Sequence, residues 1–224
     1  DANISFDGFT YAEYARRGFF ELVVVAIISL GVFYLLSLFT KRQKQREKRI
    51  FSMLGILLLV QVGLMLISAF QRLTLYETAY GFTTLRTITH IFMIWLGVLL
   101  LAAVIMEVTN QFKRMALVIF LVFFGFTLTL NVLNVDRFIV RQNIEHAIAG
   151  NPLDAGYLVW NMSTDGIPEM FAYQNNNKTP KKVQNALNAS LACYHAANGE
   201  NLGNNNYWSE WHLSKVRAET LFNQ

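Results

Sequence analysis

The sequence predicts an all-α protein, in which a polytopic membrane helix bundle of four transmembrane helices precedes a small extracytoplasmic helical region. Three observations support this fold class. Hydrophobic residues make up 54% of the 224 residues and charged residues only 15%, whereas about 25% of a soluble domain is charged. The apolar excess lies almost entirely between Phe19 and Val135, which predicts a transmembrane region of residues 1–135, and residues 136–224 have an ordinary polar composition. The loops between the apolar runs are short and polar.

Four long apolar runs predict the transmembrane helices. An α-helix rises 1.5 Å per residue, so about 20 apolar residues cross the hydrocarbon core of a bilayer. A core helix of a soluble protein is rarely apolar on every face over that length. The predicted spans are residues 19–39, 50–70, 87–108 and 115–135, and the loop predicted between the second and third is 71–86.

Basic residues in the loops predict the orientation of the bundle. Six of them fall within residues 41–49, and Lys113 and Arg114 lie in the short third loop. Short loops rich in lysine and arginine stay in the cytoplasm. Residues 41–49 and 109–114 are therefore expected to be cytoplasmic, and the region from 136 to 224 extracytoplasmic. Topology and contact with anionic lipids explain the basic run better than nucleic-acid binding does.

Turn and capping residues divide residues 136–224 into four or five short helices. Asp136 has the position of a helix cap, Gly150 that of a helix end, and Pro168 that of a first helical turn. Gly199 and Gly203 are expected in a later turn. A longer helix before that turn is predicted from apolar residues spaced three or four apart. That stripe consists of Val183, Leu187, Leu191 and Tyr194.

Polar and ionisable residues gather at the outer ends of the spans under this topology. They are Glu13, Arg16, Arg72, Tyr76, Glu77, Tyr80, Arg86, His90, Asn134, Asp136 and Arg141. Ionisable groups near hydrocarbon are costly unless they are paired or hydrated, so such a cluster is a candidate site. Arginine would suit the phosphate or carboxylate of a lipid headgroup or lipid-linked substrate, with Glu13 or Glu77 as acid or base. The alternative is a set of interfacial salt bridges and an aromatic belt that bind no ligand.

No motif for catalysis, a cofactor or a metal accompanies this cluster. The sequence contains no GxxxxGK[ST] loop, no GxGxxG turn and no GxSxG elbow, which excludes the commonest nucleotide and hydrolase sites. No two histidines are four residues apart, so a HExxH zinc site is excluded. The single cysteine, Cys193, can form neither an internal disulfide nor a CxxC pair. No cofactor is therefore expected.

Gln61 lies at the centre of the second predicted span. A side-chain amide in hydrocarbon needs a hydrogen-bond partner, and a neighbouring helix is the expected one. An ion pathway is the alternative interpretation. One neutral amide gives that alternative little support.

Three segments have a distinctive composition when taken together: residues 11–19 (YAEYARRGF), 72–86 (RLTLYETAYGFTTLR) and 211–218 (WHLSKVRA). This set resembles a bacterial multi-pass membrane family of unknown function, the domain-of-unknown-function four-one-seven-three and four-one-five-three group. The resemblance implies a location in the bacterial inner membrane, and it implies no activity. It also implies that further spans precede the first segment, so this chain is expected to be the C-terminal half of such a protein.

Three functions remain open from the sequence. The first is a non-enzymatic envelope scaffold or partner subunit, which the missing catalytic motifs favour. The second is an enzyme or carrier that acts on an anionic or lipid-linked substrate at the outer membrane face. The third is a transporter or channel component. The expected partners are the lipid bilayer, anionic lipid headgroups and a protein that contacts the outer helices, but not nucleic acid.

Overall fold

The structure, a computed structural model, describes residues 11–40, 44–109, 111–203 and 213–223, and the side chains of 11–20, 38, 112 and 200–203 lie outside that description. Within the described residues every regular element is helical, which confirms the all-α class. The helices are α1 (Tyr11–Phe39), α2 (Gln45–Tyr80), α3 (Thr84–Val108), α4 (Met115–Val132), α5 (Val135–Ile148), α6 (Ala155–Trp160), α7 (Ile167–Gln174), α8 (Lys181–Gly203) and α9 (Leu213–Phe222). Short 3₁₀ turns lie at Phe112–Arg114 and Thr164–Gly166.

The chain folds as two compact units. The first unit comprises Asp1–Tyr80 and Ile88–Thr129, and the second comprises Gly81–Thr87 and Leu130–Gln224. The last turn of α4 and the short connection between α2 and α3 therefore belong to the second unit, together with all later helices.

Three helices, α2, α3 and α4, are long and apolar enough to cross a membrane. They correspond to the second, third and fourth predicted spans. The apolar stretch of α1 is shorter than these three spans. Over the residues whose side chains are described it covers Glu21–Ser37. The predicted loop 71–86 is wrong over most of its length, because α2 continues to Tyr80 and α3 begins at Thr84. At 1.5 Å per residue the 36 residues of α2 extend for about 54 Å, well beyond the roughly 30 Å hydrocarbon core.

Helices α1 and α2 pack through small residues facing large ones. The buried stripe of α2 repeats at three and four residues and consists of Gly55, Leu59, Val62, Leu66, Ala69, Leu73 and Glu77. The ring of Phe33 from α1 lies so close to Gly55 that a methyl group there would collide with it. A side chain at Gly55 would therefore push the two helices apart.

Helices α3 and α4 also pack with a large aromatic ring against a glycine. The ring of Trp95 covers Gly125, where a methyl group would overlap the ring. The indole Nε1 then donates a hydrogen bond to Thr129 Oγ1 at 3.2 Å. The rings of Phe92 and Phe126 meet edge to face, with centroids 5.9 Å apart. Packing and one polar bond thus join two apolar helices without a hydrophobic driving force.

The second unit has a core of its own, formed by α5 to α9. The predicted stripe of α8 is confirmed, since Val183, Leu187, Leu191 and Tyr194 are all buried. Pro168 lies in the first turn of α7, as predicted. The turn predicted at Gly199 is wrong, because α8 continues to Gly203. A glycine inside a helix costs only about 1 kcal/mol relative to alanine, which the packing of α8 offsets.

The cap of α5 is Asn134 rather than Asp136. The Asn134 side chain accepts a hydrogen bond from the backbone N–H of Arg137 at 3.0 Å. Asp136 lies in the first helical turn, where a negative charge also interacts favourably with the helix dipole. Gly150 follows the end of α5 with φ +102°, the left-handed conformation expected of a helix-ending glycine.

Candidate functional site

The first unit contains a buried acid–base pair between α2 and α3. Glu77 occupies the last buried position of the α2 stripe and is 3% exposed. Its Oε2 lies 3.0 Å from Nδ1 of His90 on α3. The ring of Phe70 covers the imidazole, with ring centroids 4.5 Å apart. The structure therefore brings together Glu77 and His90, two residues of the predicted polar cluster.

The hydrogen bonds around His90 determine where its protons lie. Thr74 Oγ1 donates to the backbone oxygen of Phe70 at 3.0 Å, so its only hydrogen is already used. His90 Nε2, 3.3 Å from that hydroxyl, must then be the donor. His90 Nδ1 and Glu77 Oε2, 3.0 Å apart, are within hydrogen-bond distance of each other.

The other carboxyl oxygen of this pair, Glu77 Oε1, is buried and has no hydrogen-bond partner among the described residues. Within the described part of the chain, no group of three His, Cys, Asp or Glu side chains is placed to hold a metal ion. The geometry is that of a buried pair held by the contact between Glu77 and His90.

Within the second unit, two hydrogen bonds to one side-chain amide hold the connection between α2 and α3 against α5. Asn143 Oδ1 accepts from the backbone N–H of Phe82, and Asn143 Nδ2 donates to the backbone oxygen of Phe82, both at 2.8 Å. Gly81 has φ +77°, and a methyl group there would lie 2.8 Å from Asn143 Oδ1. Glycine is therefore required at this position for two separate reasons.

Two further bonds hold this connection. The backbone N–H of Thr84 donates to the Tyr157 hydroxyl at 2.8 Å, and Arg86 donates to the backbone oxygen of Gly81 at 2.6 Å. The guanidinium of Arg86, a predicted ligand for an anion, thus closes its own loop. Asn143 and Tyr157 were not predicted as site residues. Each is an ordinary polar residue on a helix, and its hydrogen-bond partner lies more than 60 positions away in the sequence.

An exposed pair on α5 is joined to α7. Arg141 Nε donates to Glu145 Oε1 at 2.9 Å, and the Tyr173 hydroxyl donates to the same oxygen at 3.0 Å. The bond from Arg141, then that from Tyr173, holds the pKa of Glu145 below its usual value. The bond to Glu145 raises the pKa of Arg141. Burial, followed by the bond to Glu145, raises the pKa of Tyr173.

The remaining predicted residues have separate surroundings. Asp136 Oδ2 accepts from the backbone N–H of Ser163 at 3.1 Å. The rings of Tyr76 and Tyr80 lie with centroids 4.7 Å apart on α2. Arg72 is exposed on the same helix. The side chains of Glu13 and Arg16 lie outside the described residues.

A charged cleft in the second unit was not anticipated from the sequence. Its volume is about 160 Å³, and it is lined by Asn134, Arg137, Asp165, Pro168, Leu213, Ser214 and Arg217. Arg137 Nε is 2.7 Å from Glu169 Oε2, with 58% of the arginine side chain exposed. Thr164 Oγ1 donates to Ser214 Oγ at 3.1 Å, which ties α9 to the wall of the cleft. The sequence signal was weak, since Arg217 lies 80 positions from Arg137.

A second depression, the apolar groove, lies between α7, α8 and α9. Its volume is about 350 Å³, and it is lined by Phe171, Gln174, Asn188, Leu191, Ala192, His195, Leu221 and Phe222. Phe222 meets Phe171 edge to face with centroids 5.2 Å apart, and it lies 4.7 Å from the His195 ring. Gln174 Oε1 is buried and has no hydrogen-bond partner among the described residues. The groove thus has aromatic walls formed by Phe171 and Phe222.

Comparison with known proteins gives one match. A family model described as a domain of unknown function (DUF4153) matches residues 1–173, which include all four predicted spans. The matched residues end within α7. Neither the curated proteins nor the solved structures contain a match to this chain. The resemblance drawn from residues 11–19 and 72–86 is therefore confirmed by the family model, which covers both segments.

Proposed function

The chain belongs to the family described as domain of unknown function DUF4153, and from that premise we propose that it is a non-enzymatic scaffold or partner subunit of the bacterial inner membrane. In this proposal four spans cross the membrane, residues 41–49 and 109–114 are cytoplasmic, and the helical region from 136 to 224 is extracytoplasmic. That region binds a protein partner through the apolar groove.

The observation that carries this proposal is the groove between α7, α8 and α9. Aromatic side chains are enriched at the energetically important positions of protein interfaces. A partner segment that brings apolar side chains would cover the rings of Phe171 and Phe222, which line the groove. An amphipathic helix laid into the groove has this chemistry.

The surroundings of the predicted polar cluster support the same function. Asn134 caps a helix, Asp136 binds a backbone N–H, and Arg141 pairs within its own helix. These bonds stabilise local structure in the second unit, and none of them requires a substrate. They favour the interpretation of the cluster as interfacial pairing over that of a catalytic centre.

A steric block of the groove tests the proposal. Ala192 lines the groove and is exposed, so Ala192→Arg fills the groove while leaving the core intact. Ala197 is also exposed on α8 and lies about 140° around the helix from Ala192, so Ala197→Arg is the matched control. A photo-crosslinker at Asn188, in cells that express the full chain, should capture one protein of defined mass. Ala192→Arg should abolish this product and Ala197→Arg should retain it.

Two results would contradict the proposal. One is the absence of any product of defined mass from Asn188, and the other is a product that Ala192→Arg leaves unchanged. Thermal unfolding of both arginine variants serves as the folding control, since each substitution lies on an exposed face of the same helix.

The charged cleft favours a second candidate, a carrier or enzyme for an anionic or lipid-linked substrate. Asn134 follows the end of α4 by two residues, so the cleft lies near the end of that helix. Arg137 and Arg217 could bind a phosphate ester, because the guanidinium fork matches phosphate oxygens. Asp165 in the same cleft suits the ammonium group of a zwitterionic headgroup.

Native mass spectrometry of the detergent-purified chain tests this candidate. The double variant Arg137→Gln with Arg217→Gln should lose bound phospholipid that the unaltered chain retains. Arg141→Gln is the control, since Arg141 is an exposed arginine of α5 outside the cleft. Equal phospholipid retention in the double variant and the control would exclude the cleft as a headgroup site.

A further inference from the structure

Gln61 lies on the outside of α2. The sequence analysis expected its amide to bond to a neighbouring helix. Instead the side chain is exposed, and the structure shows no hydrogen bond between it and any described residue. Gln61 lies near the centre of the predicted span 50–70, where an unsatisfied polar group is strongly unfavourable, so its amide needs a partner.

The residues around Gln61 form a continuous exposed row on α2. Leu54, Leu57 and Leu64 are 61%, 64% and 64% exposed. With Gln61 they repeat at three, four and three residues. This heptad spacing is that of helices which pack side by side with a left-handed crossing, in coiled coils and in membrane bundles alike. The row lies away from the buried stripe that contains Leu59 and Val62.

Symmetry allows a second copy of the chain to cover this row. Every copy of the chain is inserted with the same topology, so two copies of α2 can only meet in parallel. A twofold axis along the membrane normal then places each residue of the row opposite its own copy. A carboxamide carries both an acceptor and two donors, so two facing Gln61 side chains satisfy each other. Other partners would need a separate complementary polar group at the same depth.

We infer that Leu54, Leu57, Gln61 and Leu64 of α2 form a homodimer interface within the membrane, with a hydrogen bond between the two Gln61 amides at its centre. This inference is independent of the groove, the cleft and their partners. It assigns a role to the only side-chain amide of the second predicted span.

Disulfide crosslinking in native membranes tests the interface. The background is the full chain with Cys193→Ser. Leu57→Cys, Gln61→Cys and Leu64→Cys, introduced singly, should each give a covalent dimer on mild oxidation. Leu59→Cys, which is buried towards the first-unit core, should give none. Leu121→Cys on the exposed face of α4 reports random collision in the bilayer and should also give none.

Removing the amide tests the central hydrogen bond. Gln61→Leu keeps the span apolar and of equal length, so insertion is preserved. The dimer dissociation constant, measured by energy transfer on dilution in liposomes, should rise roughly 3- to 30-fold, since interhelical hydrogen bonds in bilayers have modest strength. An unchanged dissociation constant would overturn the role of Gln61. Equal crosslinking at Leu121 and at the α2 row would overturn the interface itself.

Discussion

The first unit exposes many large apolar side chains in addition to those of its core, whereas the second unit buries most of its large apolar side chains. Phe123 and Leu117 of α4 are 67% and 61% exposed, while Ile139 and Leu187 of the second unit are fully buried. Both arrangements use α-helices, so the difference follows from the surroundings. In lipid an outward leucine is solvated, whereas in water its burial is the main driving force for folding.

One acid–base pair from each unit shows how burial also changes the contribution of polar contacts. Glu77–His90 and Arg141–Glu145 have similar lengths, 3.0 and 2.9 Å. The side chains of the first pair are 15% and 4% exposed, whereas those of the second are 59% and 42% exposed. A buried pair is costly to break because the remaining group stays unsatisfied, whereas an exposed pair is screened by water and contributes little. Burial, rather than distance, therefore determines how much the loss of each pair would destabilise the protein.

The largest expected effect comes from shortening one leucine in each unit. Leu187→Ala should lower the free energy of unfolding by about 2–5 kcal/mol, because it leaves a cavity in a packed core. Leu121→Ala on the exposed face of α4 should change it by less than about 0.5 kcal/mol. Denaturant unfolding in lipid–detergent micelles measures both. Equal losses would mean that the α4 face is packed against protein.

Breaking the buried pair should have the next largest effect. Glu77→Ala leaves His90 Nδ1 without its partner and should cost about 1–3 kcal/mol. The double variant Glu77→Leu with His90→Phe replaces both groups by apolar ones and should recover most of that loss. A double variant as unstable as Glu77→Ala would show that the pair has a structural role beyond its own hydrogen bond.

A smaller effect is expected at the connection between α2 and α3. Gly81→Ala should destabilise the protein by about 1–2 kcal/mol, the cost of a left-handed backbone for an L-residue. Crowding of Asn143 would add to this cost. Gly31→Ala is the control, since a methyl group at this helical position meets nothing within 4 Å, and it should be neutral or slightly stabilising. Amide hydrogen exchange at Phe82 reports the local change, and unaltered exchange in Gly81→Ala would refute the requirement for glycine.

The smallest effect concerns pH. Because the pKa of Glu145 is depressed in the folded state, its stabilising contribution is present above the unfolded pKa of about 4.3. It is lost as the pH falls through the folded value. Glu145→Gln should therefore lower Tm slightly at pH 7, and the difference from the unaltered chain should shrink as the pH falls below about 4.3. A difference that grows towards acid pH would reverse the sign assigned here.

Composition and periodicity were sufficient to predict the long apolar helices and the buried face of α8. The apolar runs located α2, α3 and α4, because an uninterrupted apolar segment has few other folds available. The stripe of Val183, Leu187 and Leu191 located the buried face of α8. The ends of α2 were less predictable, since Arg72 and Glu77 are polar residues that nevertheless continue a helix beyond the membrane core.

The candidate sites depended on contacts that no local pattern encodes. Asn134 and Asp136 are both good cap residues, and only the structure decides between them. Asn143 meets Phe82 across 61 positions of sequence. Gln61 was recognised as a polar residue in need of a partner, but its direction on the helix depends on which face α1 covers. The cap of α5, the partner of Asn143 and the direction of Gln61 therefore depend on long-range packing, which no local sequence pattern encodes.

The orientation of the second unit is the central claim that one reagent can test. Cys193 is the only cysteine of the chain and is exposed, so a membrane-impermeant maleimide applied to intact spheroplasts reports its side directly. The account predicts full labelling of Cys193 from outside. It predicts that Gln45→Cys in a Cys193→Ser chain is labelled only after permeabilisation. Protection of Cys193 together with labelling of Gln45→Cys in intact spheroplasts would contradict the proposed topology and, with it, an extracytoplasmic binding unit.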